Sequence, residues 1–266
     1  MMKIALMSDI RGEFYRSTPD WLPPLPKEAD VLVLAGDIHV GNAAIDLVTR
    51  ISNALPYAVI LYVAGNHEFY KQHYENTLAN FRSAFSDNPK IHFLEKDAVT
   101  IGEFHFFGAT LWTGFDPYLE RATLIDTMTN ARNQISDFHY IATGQDRRLF
   151  NPADARDIYL NTKKEIEAFL NEHDPRKSVV ITHFPPSLEL RNPNFKKIDL
   201  TTSYISANCD DLIERYKPRC WLYGHHHWSE RRMHFETECI ANQLCYPSEH
   251  YRNGWSFDGD LVFELS

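Results

Sequence analysis

The chain is short of paired cysteines, long apolar runs and basic residues, and each shortage removes a class of protein. Its four cysteines, Cys209, Cys220, Cys239 and Cys245, contain no C-x-x-C pair, so neither a zinc ribbon nor a dithiol redox motif is expected. They read as free thiols in a reducing compartment. No apolar stretch approaches the roughly 20 residues that span a bilayer. The opening "MMKIALMSDI" is interrupted by Asp9 too soon to act as a secretory leader. Together these absences predict a cytoplasmic protein with no membrane partner. Lys and Arg number 27 against 36 Asp and Glu, a net charge of −9. Nucleic-acid surfaces carry a basic excess, and no nucleic-acid-binding patch is evident. There is no internal repeat and no low-complexity tract. What remains is 266 residues, 44% of them hydrophobic, enough to bury a sizeable core.

What is present is a recurring pattern: short apolar runs that stop abruptly at metal-binding residue types. "KIALMSD" ends at Asp9, "DVLVLAGD" at Asp37, and "AVILYVAGNHE" at Asn66, His67 and Glu68. "SVVITH" ends at His183, and "CWLYGHHH" at His225 and His227. A sixth run, "FHFFGATLW", ends at Trp112 and Thr113 with no ligand type. Such near-continuous runs predict strands buried on both faces. Helical patterns at 43–55, 68–85 and 157–173 lie between them, with a shorter one at 210–216 stopped by Pro218. Alternating strands and helices predict an α/β protein, in which ligands bind beyond the carboxyl ends of the strands. Five strand ends would then meet at one rim. Successive side chains of an extended chain face opposite ways, so His225 and His227 share a face and His226 turns from it. One histidine alone is more often a packing or capping residue. The joint placement argues for a metal, and imidazole and oxygen donors without thiolate suit Mn²⁺, Fe or Zn²⁺.

The later chain differs. "KIHFLEKDAVTIGEFHFFGATLW" predicts short strands joined by tight turns, and "TECIANQLCYPSE" and "GDLVFELS" predict two more. These are expected to form a second, largely antiparallel sheet packed on the first. Residues 115–156 are polar and weakly periodic, and are expected to be a helical cap insertion over the rim within a single domain spanning 1–266. Glu68 is expected to cap the following helix or orient a neighbour, and His226 to face solvent or support a ligand. Substrate contacts are sought in 115–156 and 185–202. Trp112, Phe115, Tyr118 and Phe195 are candidates for a flat group, and Arg191, Lys196 and Lys197 for a phosphate.

The motifs "SDIR" at 8–11, "AGDIH" at 35–39, "GNHEF" at 65–69, "THFPPS" at 182–187 and "GHHH" at 224–227 together resemble the calcineurin-like metallophosphoesterases, in particular their small bacterial branch. Any single piece is a weak signal, but five in order are specific. The resemblance implies a four-layer α-β-β-α sandwich of two mixed sheets holding a binuclear metal centre. It implies that Asp37 bridges two ions, that Asn66, His183 and His225 complete one site, and that Asp9 and His227 belong to the other. The expected cofactor is one or two divalent ions, Mn²⁺ ahead of Fe or Zn²⁺. The implied activity is hydrolysis of a phosphate mono- or diester of a small phosphorylated molecule by metal-activated water, with His67 facing the leaving group. His39 lies near the rim with no assignable role, and the oligomeric state stays open.

One position departs from that pattern. The family places His two residues after the first Asp, and this chain has Arg11. Arginine offers only donors and stays charged, so it cannot coordinate a cation. The first site would then persist with weaker affinity, or be empty with Arg11 as a phosphate clamp. The third outcome is a non-catalytic scaffold that keeps the fold for binding. A plain salt bridge from Arg11 to Asp9 is the alternative to the clamp.

Overall fold

The computed structural model describes residues 1–15, 17–18, 20–116, 118–250 and 256–266. The first sheet contains β1 (Met2–Met7), β2 (Val31–Ala35), β3 (Val59–Val63) and β4 (Ile91–Phe93), mutually parallel. Helix α1 (Ala43–Ala54) links β2 to β3, and α2 (Tyr74–Phe85) links β3 to β4. A hairpin of β5 (Asp97–Ile101) and β6 (Phe104–Ala109), turning at Gly102, opens the second sheet. Residues 115–156 hold α3 (Leu124–Gln134), α4 (Asp137–Tyr140) and a small hairpin of β7 (Ala142–Thr143) and β8 (Arg148–Leu149). Helix α5 (Pro152–Glu172) then leads to β9 (Ser178–Thr182), and α6 (Thr202–Ile205) and α7 (Asp210–Tyr216) lead to β10 (Cys220–Tyr223). After β11 (Glu230–His234) and β12 (Thr237–Ala241), β13 (Val262–Leu265) returns to pair antiparallel with β1. The sheet orders are β13-β1-β2-β3-β4 and β11-β12-β10-β9-β6-β5.

The layers follow from how each strand divides its side chains. All of β2 is buried. Val31, Val33 and Ala35 enter a core shared by the two sheets, while Leu32 and Leu34 enter a larger core containing the helices. In β1, Ile4 and Leu6 face the other sheet, and Ala5 and Met7 face helices. In β10, Cys220 and Leu222 point one way, Trp221 and Tyr223 the other. A strand apolar on both faces must be covered on both, which gives α-β-β-α. A slip of one residue would exchange the two faces.

Three expectations about elements are corrected. The second sheet is antiparallel only at its edges, β5–β6 and β11–β12, while β6–β9, β9–β10 and β10–β12 are parallel. Strand direction there is set by crossover helices distant in sequence, not by local turns. The helix expected over 68–85 begins at Tyr74. Lys71 has φ 60, and its N–H donates to Tyr140 O at 2.7 Å, so the chain leaves helical geometry between them. The helix expected from 157 begins at Pro152, because Asn151 and Asp154 form a capping box around an N-terminal proline.

Candidate metal centre

The chain turns sharply as it leaves β1, β2 and β10 at the rim. Asp9, Arg11, Asp37, His225 and His227 adopt φ of 51, 56, 57, 78 and 54, the left-handed region that costs an L-residue about 1–2 kcal/mol. Main-chain bonds between loops offset this. Asp9 N donates to Gly36 O at 2.9 Å, Arg11 N to Asp37 O at 3.0 Å, and Cys245 N to Asp9 O at 2.9 Å. Two glycines make room for the side chains. At Gly36, whose φ is +84, a Cβ would meet His183 Nδ1 at 2.5 Å. At Gly65 a Cβ would overlap Asp37 Oδ1.

Three side chains meet in one cage, with the His225 ring packed beside them. His183 Nδ1 donates to Ala35 O at 2.9 Å, so in a neutral ring Nε2 carries a lone pair. That Nε2 lies 3.1 Å from Asn66 Oδ1 and 3.4 Å from Asp37 Oδ1. Asn66 shows its oxygen here because its Nδ2 donates to Asp137 Oδ1 at 2.9 Å. Two lone-pair oxygens therefore face the His183 nitrogen lone pair, an arrangement that a cation stabilises. The spacings fit: donors about 2.1 Å from an ion are separated by about 3.0 Å at right angles and about 3.4 Å at the tetrahedral angle. The His225 ring packs 5.1 Å from that of His183, and its buried Nδ1 has no hydrogen-bond partner among the described residues. Burial, reinforced by His183, holds the His225 pKa well below the usual range, so its lone pair is available at neutral pH. Asp37, Asn66, His183 and His225 thus suit a divalent ion. Asp9, Asp37 and His183 also bring ligand atoms within 4.8 Å of one another.

The cage on the other side of Asp37 contains Arg11. Arg11 Nη2 lies 2.7 Å from Asp37 Oδ2, 3.4 Å from Asp9 Oδ1 and 2.9 Å from His227 Nε2. Only 3% of the arginine side chain is exposed. Burial alone would lower the Arg11 pKa, but the Asp37 and Asp9 carboxylates outweigh it and raise it. For Asp37 the burial cost is outweighed by Arg11, His183 and His67, which hold its carboxyl far below the usual range. Two positive charges about 4 Å apart repel by roughly 4 kcal/mol at an effective dielectric near 20, and a dication doubles that. The second site of a two-ion centre therefore does not fit this chain as it fits the family pattern. The expected Asp9 salt bridge is present at 3.4 Å, but it is buried and is joined by a shorter contact to Asp37.

Glu13 and Glu249, which carried no motif signal, support two of the motif histidines. His67 is nearly buried, its Nδ1 lies 3.0 Å from Glu13 Oε1, and its backbone N–H donates to Asp37 Oδ1 at 2.8 Å. His227 Nδ1 lies 2.5 Å from Glu249 Oε2. Glu68 is fully buried and caps no long helix. It accepts from Asp37 N, Ile38 N, Gly65 N and the Tyr62 hydroxyl, which orients the Asp37 loop. Burial, then the Asp37 charge, raises the Glu68 pKa to about 8. His226 does not face solvent. Its ring is buried, with Nε2 2.6 Å from Leu190 O and Nδ1 2.8 Å from Gln243 Nε2. Burial lowers its pKa to about 4.

A cavity of about 970 Å³ opens over the rim, lined by Arg11, Asn66, His67, His225 and His227, and by Tyr246. Residues 134–137 close one side, and Phe195, Lys196 and Lys197 another. Trp112 and Phe115 are fully buried core residues, a correction to their candidacy as a wall for substrate. Tyr118, Arg191 and His39 lie outside the lining formed by the described residues. Arg191 is used in its own loop, bonding Leu188 O and Phe195 O.

A family model described as calcineurin-like phosphoesterase matches residues 2–229. An uncharacterized protein, L509, of Acanthamoeba polyphaga mimivirus is 23% identical over 245 residues, covering 87% of this chain and 83% of that protein. Among solved structures, phosphopantetheinyl hydrolase (PptH) from Mycobacterium tuberculosis superposes with a TM-score of 0.70 at 16% identity, covering 95% and 94% of the two chains. The protein TT1561 of Thermus thermophilus gives 0.55 at 13% identity, covering 91% and 89%. At these identities the two structures are alike in fold.

Proposed function

The chain belongs to the calcineurin-like phosphoesterase family, and on that premise we propose that it hydrolyses a phosphate mono- or diester with a divalent ion held by Asp37, Asn66, His183 and His225. The observation that supports this reading most is the meeting of Asp37 Oδ1 and Asn66 Oδ1 at His183 Nε2, which in a neutral ring has no proton to share. When bound, the ion neutralises phosphoryl oxygens and makes a water acidic enough to attack phosphorus.

The remaining work falls to the chain's own groups. Water oxygen bonds to phosphorus as the bond to the leaving oxygen breaks, and His67 delivers a proton to that leaving oxygen. Glu13 engages His67 Nδ1, which leaves Nε2 toward the cavity as the atom that carries the transferable proton when the ring is protonated. Tyr70 stacks on the imidazole at 4.1 Å and limits its rotation. The preferred ion in this reading is Mn²⁺, with Fe or Zn²⁺ as alternatives. The substrate is a small phosphorylated molecule in the cytoplasm, and residues 115–156 act as a cap within one domain.

A non-catalytic scaffold is the second reading, and Arg11 motivates it. The Glu13–His67 pair favours the enzyme, since a scaffold has no use for an oriented imidazole in the cavity. Nitrophenyl phosphate mono- and diesters assayed with Mn²⁺, Fe²⁺ and Zn²⁺ separate the two. Turnover that disappears in Asp37→Asn supports the enzyme; no turnover with any ion supports the scaffold.

A further inference from the structure

We propose that the Arg11 guanidinium replaces one of the family's two ions, so that the centre holds a single divalent ion and Arg11 itself seats the substrate phosphate. The inference rests on the phosphoesterase reading above and adds to it an ion count and an anion-binding residue.

The position of one nitrogen carries the argument. Asp9, Asp37 and His227 are the residues that the family resemblance assigns to the first ion, and Arg11 Nη2 touches all three, at 3.4, 2.7 and 2.9 Å. The Asp9 and His227 contacts are hydrogen bonds and the Asp37 contact is an ion pair, and all three spacings exceed metal–ligand bonds of about 2.1 Å. The protons agree. Glu249 engages His227 Nδ1, so His227 Nε2 presents a lone pair and Nη2 supplies the hydrogen. Asp9 Oδ2 already accepts from Ser8 Oγ at 2.7 Å and His225 N at 3.0 Å. A positive charge thus sits in the cage as part of the chain.

It is also held there. The Arg11 backbone is left-handed and bonded to Asp37 O, and the Tyr246 ring covers the guanidinium carbon at 4.7 Å. Yet Arg11 Nε and Nη1 are buried donors with no acceptor among the described residues, a costly state unless a ligand supplies one. Arg11 lines the cavity. Phosphate oxygens are the acceptors that a planar guanidinium fork matches.

Two measurements on the full chain test this. Protein loaded with Mn²⁺ and desalted is counted for manganese by elemental analysis. One ion per chain is expected, rising to two in Arg11→His. Inorganic phosphate binding to metal-free protein is measured by calorimetry, and Arg11→Gln is expected to weaken it at least tenfold. Arg11→Lys, which keeps the charge but loses the fork, should fall between, and it covers the case in which Arg11→His does not fold. Two tightly held ions in the parent, or equal phosphate affinity in parent, Arg11→Lys and Arg11→Gln, would overturn the proposal. Failure of the broader reading looks different: the parent binds no manganese and hydrolyses neither ester class, whatever Arg11 does to phosphate.

Discussion

The Asn66 amide donates to Asp137 Oδ1 at 2.9 Å across 71 residues of chain. Asp137 starts α4, in the segment expected to be a cap, and is fully buried. It also accepts from the Tyr70 hydroxyl at 2.8 Å and from the Tyr204 hydroxyl. Burial raises the Asp137 pKa, against the hydrogen bonds that lower it. Through this contact the 115–156 segment decides which end of the Asn66 amide faces the cage.

Asp137→Asn should therefore let the Asn66 amide turn over, because the new side chain can donate as well as accept. Loss of an outer partner of a metal ligand typically costs 10–100-fold in metal affinity. Manganese titration by calorimetry should show a drop of that size with an unchanged far-UV spectrum. Unchanged affinity would mean that Asp137 does not set the amide.

The three consecutive histidines should separate by phenotype. His225→Ala should lose the ion while folding normally. His226→Ala should keep the ion but lose about 1–3 kcal/mol of stability, since Leu190 O and Gln243 would lose a buried partner. Metal content and denaturant midpoints on both variants check this. A metal-free His226→Ala protein of normal stability would reverse the assignment.

A proton supplied by His67 matters most when the leaving group is a poor one. His67→Asn should reduce turnover by roughly 10²–10⁴ on an alkyl phosphate ester and far less on a nitrophenyl ester, whose oxygen leaves without protonation. Glu13→Gln should follow the same pattern more weakly. Manganese content should not change in either variant, and equal losses on both esters would remove His67 from the proton-donor role.

Glu95 gives a pH prediction away from the centre. It is buried and accepts from Thr110 N at 2.9 Å and Thr110 Oγ1 at 2.8 Å. Burial raises its pKa despite those bonds. A carboxyl whose folded pKa exceeds its unfolded value contributes stability that is full below the unfolded pKa and lost as pH rises through the folded one. Glu95→Gln keeps an acceptor and removes the charge. Its stability relative to the parent should rise with pH above about 4.5, by at most about 1.4 kcal/mol per pH unit, then level off. Urea midpoints across pH 4–8 provide the measurement, and parallel profiles would contradict it.

Much of the candidate centre was legible because its candidate ligands sit directly after apolar runs. A strand end fixes its next residue in space, so Asp9, Asp37, Asn66, His183 and the 225–227 stretch could be placed at one rim from pattern alone. Their supports could not. Glu13, Asp137, Tyr204 and Glu249 lie in loops or short helices, where no periodicity ties sequence position to direction. Glu68 was visible as a helix cap or an orienter of a neighbour, and the 3₁₀ turn at His67–Phe69 selects the second by aiming its carboxylate at the backbone of Asp37 and Ile38.

By itself the sequence determined that its strands are buried on both faces and so need cover on both; the four layers were what the family resemblance implied. It also determined that Arg11 stands where the family has an imidazole. Only the tertiary structure decided the parallel centre of the second sheet, since that depends on where distant helices carry the chain. It alone decided that the Arg11 charge lies between Asp9, Asp37 and His227 rather than in solvent. The strength and direction of an ion pair are set by distances between residues far apart in the chain, and folding is what fixes those distances.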